Sequence, residues 1–148
     1  MTRVRPTLGD YPYRVPIATR WMDNDIYGHV NNVAYYSYFD TAANRYLIEE
    51  GGLDIAAGPV IGLVVESQCS YHAPIAFPQA VTAGVRVIVL GNRAVTYGIG
   101  IFAGDEPLAA AHGHFVHVFV DRATRRPLPI PAPLRTALAR LVSPDSPA

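Results

Sequence analysis

The sequence predicts an α+β domain in which a five-stranded antiparallel sheet wraps around one long central helix. Three observations predict it. A chain of 148 residues, 50% hydrophobic and only 16% charged, has room for one core and is too apolar for wholesale disorder. The segment Val33–Glu50 runs without Gly or Pro and is apolar around most of its circumference, so protein is expected on nearly every side of it. The remaining segments are β-branched and aromatic runs joined by turn residues, which pair most simply as an antiparallel meander.

Ile17–Asp23 is a short first strand. Asn31 and Asn32 are cap residues for the helix that follows, and Gly51-Gly52 ends it. Tyr35, Phe39, Ala42 and Tyr46 form one apolar stripe, while Val33, Tyr36, Tyr38, Ala43, Leu47 and Ile48 extend apolar area around the helix. After Gly58-Pro59, strands are expected over Ile61–Tyr71, Val81–Leu90, Ala94–Phe102 and Leu108–Val120. Val81, Val85, Val87 and Val89 fall on one face of the second of these, and Val95, Tyr97, Ile99 and Ile101 on one face of the third. Leu90-Gly91-Asn92-Arg93 reads as a hairpin turn and Gly104-Asp105-Glu106-Pro107 as another. A Pro-rich stretch then leads into a short terminal helix, Ala132–Leu141, giving one domain over 1–148 with a core of about 17–141.

The formal net charge is zero, built from twelve arginines, no lysine and twelve carboxylates, which argues against nucleic acid as a partner. The single cysteine, Cys69, excludes a disulfide framework and a multi-thiolate metal site, and fits the cytoplasm. Within a strand it reads as a small apolar filler. Met1–Pro16 carries Arg3, Arg5, Asp10 and Arg14 and does not read as a signal peptide. The longest charge-free stretch, Ser67–Val85, is broken by Gln68, His72, Pro74, Pro78 and Gln79, so no membrane span is expected.

The densest polar cluster is Asp23-Asn24-Asp25-Ile26-Tyr27-Gly28-His29-Val30-Asn31-Asn32, between the first strand and the buried helix. The first turn of a helix has amide N–H groups without intrahelical partners and the positive end of the dipole. A carbonyl oxygen there is polarised and an oxyanion is held by fixed donors. A carboxylate a few residues upstream reaches the carbonyl carbon as nucleophile or activates water. A buried capping cluster is the plain alternative.

The string RWMDNDIYGHVNNVAYYSYFD resembles the signature of the hotdog-fold thioesterases of the 4-hydroxybenzoyl-CoA thioesterase family, and SYHAPIAFPQAV, LGNRAVTYGIGIF, HFVHVFVD and RRPLPIP are similar to the rest of that pattern in order and spacing. The resemblance implies a hotdog fold and hydrolysis of an acyl-CoA thioester to a carboxylic acid and free CoA, with no metal and no cofactor beyond the CoA of the substrate. It implies Asp25 as the catalytic carboxylate and the amide of Asn32 as oxyanion donor, with Gly28 lining the same pocket. Asp23 becomes a supporting or capping group. His29 either bonds the loop and orients Asn31 or acts as a base. Tyr27, Tyr35, Tyr36 and Phe39 are candidates for the floor of an acyl pocket, and Asn31, Glu66 and Ser67 for contact with substrate, the last two from a strand that passes close to the site of a paired subunit. Arg93 is the first candidate for the CoA phosphates among Arg86, Arg93, Arg122, Arg125 and Arg126. Asp40 is expected in a buried hydrogen bond, and Ala43 stands where relatives often carry Arg.

The resemblance also implies a homodimer or homotetramer with sites at the interface, and an acyl carrier protein as an alternative carrier of the acyl group. Two other functions fit the fold: a hydratase or dehydratase of hydroxyacyl thioesters, whose D-x-N-P-x-H pattern this chain lacks at Asp25–His29, and a non-catalytic acyl-CoA-binding module. His112, His114 and His117 invite a metal site, but strand alternation sends His117 to the opposite face from the other two.

Overall fold

A computed structural model describes residues 4–142, so Arg3 of the charged N-terminal stretch lies outside the described residues. The strands are β1 (Tyr13–Ala18), β2 (Val60–Tyr71), β3 (Ala80–Leu90), β4 (Ala94–Ala103) and β5 (Ala111–Asp121), and the helices are α1 (Asn32–Glu49) and α2 (Ala132–Ala139). They form one five-stranded antiparallel sheet in the order β1-β3-β4-β5-β2. The sheet curls about α1, the hotdog arrangement that the resemblance implies.

The helix begins and ends where its caps require. Asn31 Oδ1 accepts a hydrogen bond from the Val33 amide, and at the other end Gly51 and Leu53 donate to the Leu47 carbonyl while Gly52 takes a positive φ of 70°. Tyr35, Tyr38, Phe39, Ala42, Ala43, Tyr46 and Leu47 are buried against the inner faces of β3, β4 and β5. Val95, Tyr97, Ile99 and Ile101 all face α1, as the alternation of β4 predicts. Helix α2 closes the far end with Leu134, Ala137 and Leu138, and the Tyr46 hydroxyl donates to the Ala137 carbonyl.

Several expectations need correction. The chain is not a simple meander: β2 pairs with β5 at the far edge, not with β3, because α1 and the loop after it carry the chain across the sheet. The first strand starts earlier and stops at Ala18, with Pro16 inside it, which an edge strand tolerates. Trp21–Asp23 forms a 3-10 turn instead. The last strand begins at Ala111, three residues later than the alternation suggests. A bulge between Val87 and Val89 flips the end of β3, leaving Val89 exposed. Within a single chain α1 is not covered on every side, since Val33, Ser37, Asp40, Thr41 and Ile48 face outward. Asp40 is therefore exposed and not in a buried bond; it accepts from the Asn44 amide one turn on.

An imidazole lies inside the core. His117 is buried at 1% exposure, its Nδ1 is 3.1 Å from the Tyr97 hydroxyl, and its ring packs edge-on to Tyr97 and Phe115. Removal from water disfavours the imidazolium and pushes its pKa down from 6.5 to about 4. The unfolded chain takes up a proton near pH 6.5 that the folded chain refuses until about pH 4. This contribution to stability is therefore complete above pH 6.5 and lost as the pH falls through that window. The expected loss is about 3 kcal/mol. Urea denaturation at several pH values should show that slope in the wild type and a flatter one in His117→Phe.

Candidate active site

The polar cluster becomes a tightly bonded loop. Residues 21–23 turn so that Asp23 caps its own turn, taking the Arg20 amide at 3.0 Å on Oδ2 and the Arg20 guanidinium at 3.0 and 2.9 Å on Oδ1. The Tyr38 hydroxyl, from α1, donates to Oδ2 of the same carboxylate at 2.8 Å. Burial works to raise the Asp23 pKa, but the bonds from Tyr38 and Arg20 outweigh it and hold the carboxyl below its ordinary value. Beyond it, Asn24 bridges to Val30, the Asp25 amide donates to the His29 carbonyl at 3.0 Å, and the Gly28 amide donates back to the Asp25 carbonyl at 3.0 Å. Gly28 closes this turn with φ 82°, a conformation that costs a residue with a Cβ. The loop is tied to the segment after β2 by Val30 N–H to the Ile75 carbonyl at 2.7 Å and by Phe77 N–H to Asn24 Oδ1 at 3.0 Å.

Asn31 joins this loop to the helix. Its backbone amide donates to the Asp23 carbonyl at 2.8 Å, its side-chain oxygen accepts from Val33 N–H at 2.9 Å, and its side-chain nitrogen donates to Asp25 Oδ2 at 3.3 Å. The other Asp25 oxygen accepts from Tyr27 N–H at 2.9 Å. The half-buried Asp25 carboxylate is thus one side-chain amide away from the first turn of α1. Ala34 N–H bonds the Asn31 carbonyl, whereas no acceptor is found for Asn32 N–H among the described residues. An amide donor without an acceptor among the described residues, joined to a carboxylate through the Asn31 side chain, suits attack on, or polarisation of, a carbonyl group.

A pocket of about 350 Å³ opens at this helix terminus, lined by His29, Val30, Asn32, Tyr35, Tyr71, His72, Ala73 and Pro74. Tyr35 and Tyr71 meet edge to face at 5.1 Å, and the Tyr71 hydroxyl donates to the Asn32 carbonyl at 3.3 Å. Burial pushes the Tyr35 phenol up to about 12, so it stays protonated at neutral pH. The His72 and His112 rings stack, with Nε2 of the first 2.8 Å from Nδ1 of the second. Burial also pushes the Cys69 thiol up to about 11, which leaves it a filler and not a nucleophile.

Of the residues singled out in the sequence, His29, Asn32 and Tyr35 line the pocket, and Asp25, Gly28 and Asn31 form the loop beside it. Tyr27 stands exposed at the loop tip. Glu66 and Ser67 are exposed in the middle of β2, where Glu66 Oε2 lies 3.4 Å from His114 Nε2. Arg93 sits at the other end of the sheet, since Ala94 pairs with Val118 while Tyr71 pairs with Ala111. His112 pairs with His72, and His117 is in the core, so the histidine string does not converge. Sequence reasoning missed Tyr71 and His72 in the pocket and Tyr38 behind the loop. An aromatic and a histidine just before Pro74, at the end of a long strand, are the available signal for the first two. Tyr38 gives none beyond helical spacing.

The Thioesterase-like superfamily matches residues 19–138 of the chain. Among solved structures, the PA5185 protein from Pseudomonas aeruginosa strain PAO1 is similar at 56% identity, with 97% of this chain and 100% of that chain covered and a TM-score of 0.94. A thioesterase from Thermus thermophilus, described in complex with coenzyme A and zinc, is 30% identical over 89% of this chain and 95% of its own, with a TM-score of 0.74. A 1,4-dihydroxy-2-naphthoyl-CoA thioesterase from Synechocystis, 17% identical over 87% of this chain and 96% of its own, shares the fold at a TM-score of 0.77. A search of curated proteins finds no match. The sheet order, the helix it encloses and a match over most of the sequence give one conclusion: the chain belongs to the thioesterase-like superfamily, as a hotdog-fold enzyme of the thioester-hydrolase class.

Proposed function

We propose that the protein hydrolyses an acyl-CoA thioester to the free carboxylic acid and CoA. The observation that carries this reading is the Asp25 carboxylate held through Asn31 to the helix terminus where Asn32 N–H has no acceptor among the described residues. The thioester carbonyl oxygen takes that N–H, which polarises the carbonyl carbon. Asp25 then attacks the carbon, the C–S bond breaks, and the CoA thiolate takes a proton from water. A second water hydrolyses the anhydride and restores the carboxylate. In the other route Asp25 removes a proton from water, which attacks directly. His29, at the pocket wall, bonds the incoming acyl group or the water; its backbone carbonyl already holds the Asp25 amide.

The reading includes a second copy of the chain. Ile26 and Tyr27 are 94% and 84% exposed at the loop tip, and Trp21, Met22 and Val33 on the flanking segments are exposed as well, apolar area that a homodimer would cover. Pairing also brings Glu66, Ser67 and Arg93 to the pocket of the other copy, from which they are distant in their own chain. In this reading no metal or further cofactor takes part, the protein works in the cytoplasm, and no nucleic acid or membrane is a partner. No helix among the described residues is long and apolar enough to cross a membrane.

The test is thiol release from a panel of aryl, short-chain and long-chain acyl-CoAs, and from the same acyl groups on an acyl carrier protein. Free thiol from an acyl-CoA is expected. A change in enoyl absorbance without free thiol would make the enzyme a hydratase, and tight binding without turnover would make it a binding module.

A further inference from the structure

Asp23 is a buried carboxylate, its side chain 1% exposed, that the mechanism above does not use. Its partners come from both sides of the candidate site. The Arg20 guanidinium and amide reach it from the strand side, and the Tyr38 hydroxyl reaches it at 2.8 Å from the second turn of α1. The backbone carbonyl of the same residue accepts the Asn31 amide at 2.8 Å. Asn31 in turn holds Asp25 with one end of its side chain and Val33 N–H with the other. A bonded path therefore runs from Tyr38 through Asp23 and Asn31 to Asp25, and it returns to the helix at its first turn.

We propose that Tyr38, acting through Asp23, is a positioning residue that sets the distance between the Asp25 carboxylate and the open amide at the start of α1. The proposal rests on the thioesterase reading for its effect on turnover, but not for its effect on the loop. A helix terminus can pivot about its own cap, because the first turn is held by few bonds. Tyr38 lies about one and a half turns further in, at a point fixed by core packing, with its ring against Tyr35 at 6.0 Å. Anchoring Asp23 there ties the loop to the rigid part of the helix and not to its fraying end. The Coulombic pull of Arg20, whose side chain is 63% exposed, is screened by water and does not fix the geometry alone. The phenol is rigid, buried and short-ranged. Reaction rates fall steeply when a reacting group shifts by a fraction of an ångström, which is how a hydroxyl remote from the Asp25 carboxylate reaches the chemistry.

The experiment compares Tyr38→Phe with Tyr46→Phe, two helix variants that each lose one buried hydroxyl bond, the second at the opposite end of α1 from the loop. Amide hydrogen exchange, which needs no substrate, is expected to quicken roughly tenfold or more at Asn31 and Asp25 in Tyr38→Phe and to stay within about twofold in Tyr46→Phe. In acyl-CoA turnover, Tyr38→Phe is expected to lower kcat by about tenfold to a hundredfold with KM within about twofold, while Tyr46→Phe keeps kcat. Unchanged exchange at Asn31 and Asp25, or an equal fall of kcat in both variants, overturns the positioning role. The expected exchange pattern in a protein that releases no thiol from any carrier supports the brace and overturns the thioesterase reading.

Discussion

Asp25→Asn is expected to lower thioester turnover by about 10² to 10⁴ while leaving the fold intact. The substitution keeps the size of the side chain and removes its charge. The amide oxygen still accepts from Tyr27 N–H, but the amide nitrogen meets the Asn31 nitrogen that now donates to Asp25 Oδ2 at 3.3 Å. Two donors face each other, and neither a nucleophile nor a base remains opposite Asn32 N–H. The barrier rises by roughly 3–5 kcal/mol on this account. Asp25 is only half-buried, so little stability is at stake and the melting temperature should move by no more than a few degrees. Thiol release with a saturating acyl-CoA, run beside a melting curve, checks both halves. Undiminished turnover would remove Asp25 from the mechanism.

Gly113→Ala is expected to be among the most destabilising single substitutions in the sheet. Gly113 lies on the inner face of β5, opposite Cys69 of β2 and Ile99 of β4. A Cβ there would fall 1.7 Å from the Gln68 carbonyl oxygen, 2.7 Å from its carbon and 2.9 Å from Cys69 Cα. All three are backbone atoms, so no rotamer change relieves the overlap, and β2 itself must lift away from β5. The cost is about 3 kcal/mol or more, a fall in melting temperature on the order of 10 °C. Displacing β2 at Gln68 also moves Tyr71 and His72, which line the pocket, so substrate affinity should fall with stability. Gly62→Ala is the matched control. It lies on β2, and the atoms nearest to an added Cβ belong to the His117 and Phe119 rings at 3.5 Å and beyond, an ordinary contact. Thermal melts of the two variants decide the matter: equal effects would mean that the close approach at Gly113 is not the cause.

The loop that would hold the reaction was legible because its bonds are short-ranged. Asp25 to Tyr27, Gly28 to Asp25 and Asn31 to Val33 all join residues within a few positions, and the residue types required for such bonds are visible in order. The pocket walls were less legible. Tyr71 touches Asn32 across 39 positions and His72 meets His112 across 40, contacts that no local pattern announces. Tyr38 reached Asp23 by the same kind of long step, and on helical spacing alone it reads as one more apolar contact. Tyr11 is the extreme case: it is fully buried on the outer face of the sheet, against Phe102, from within a Pro-flanked stretch outside the expected core.

Residues close together in the chain were enough to define the extent of α1, the alternating face of β4, the hairpin at Gly91-Asn92 and the polar loop ahead of the helix. Each depends on hydrogen bonds and periodicities within a few residues. Long-range packing was needed to put β2 on the far edge beside β5, to leave one side of α1 open in the single chain, and to clamp Asp23 between Arg20 and Tyr38. Those outcomes depend on which distant backbone edge or side chain is left to be satisfied once the core has formed, and neighbouring residues do not encode that choice.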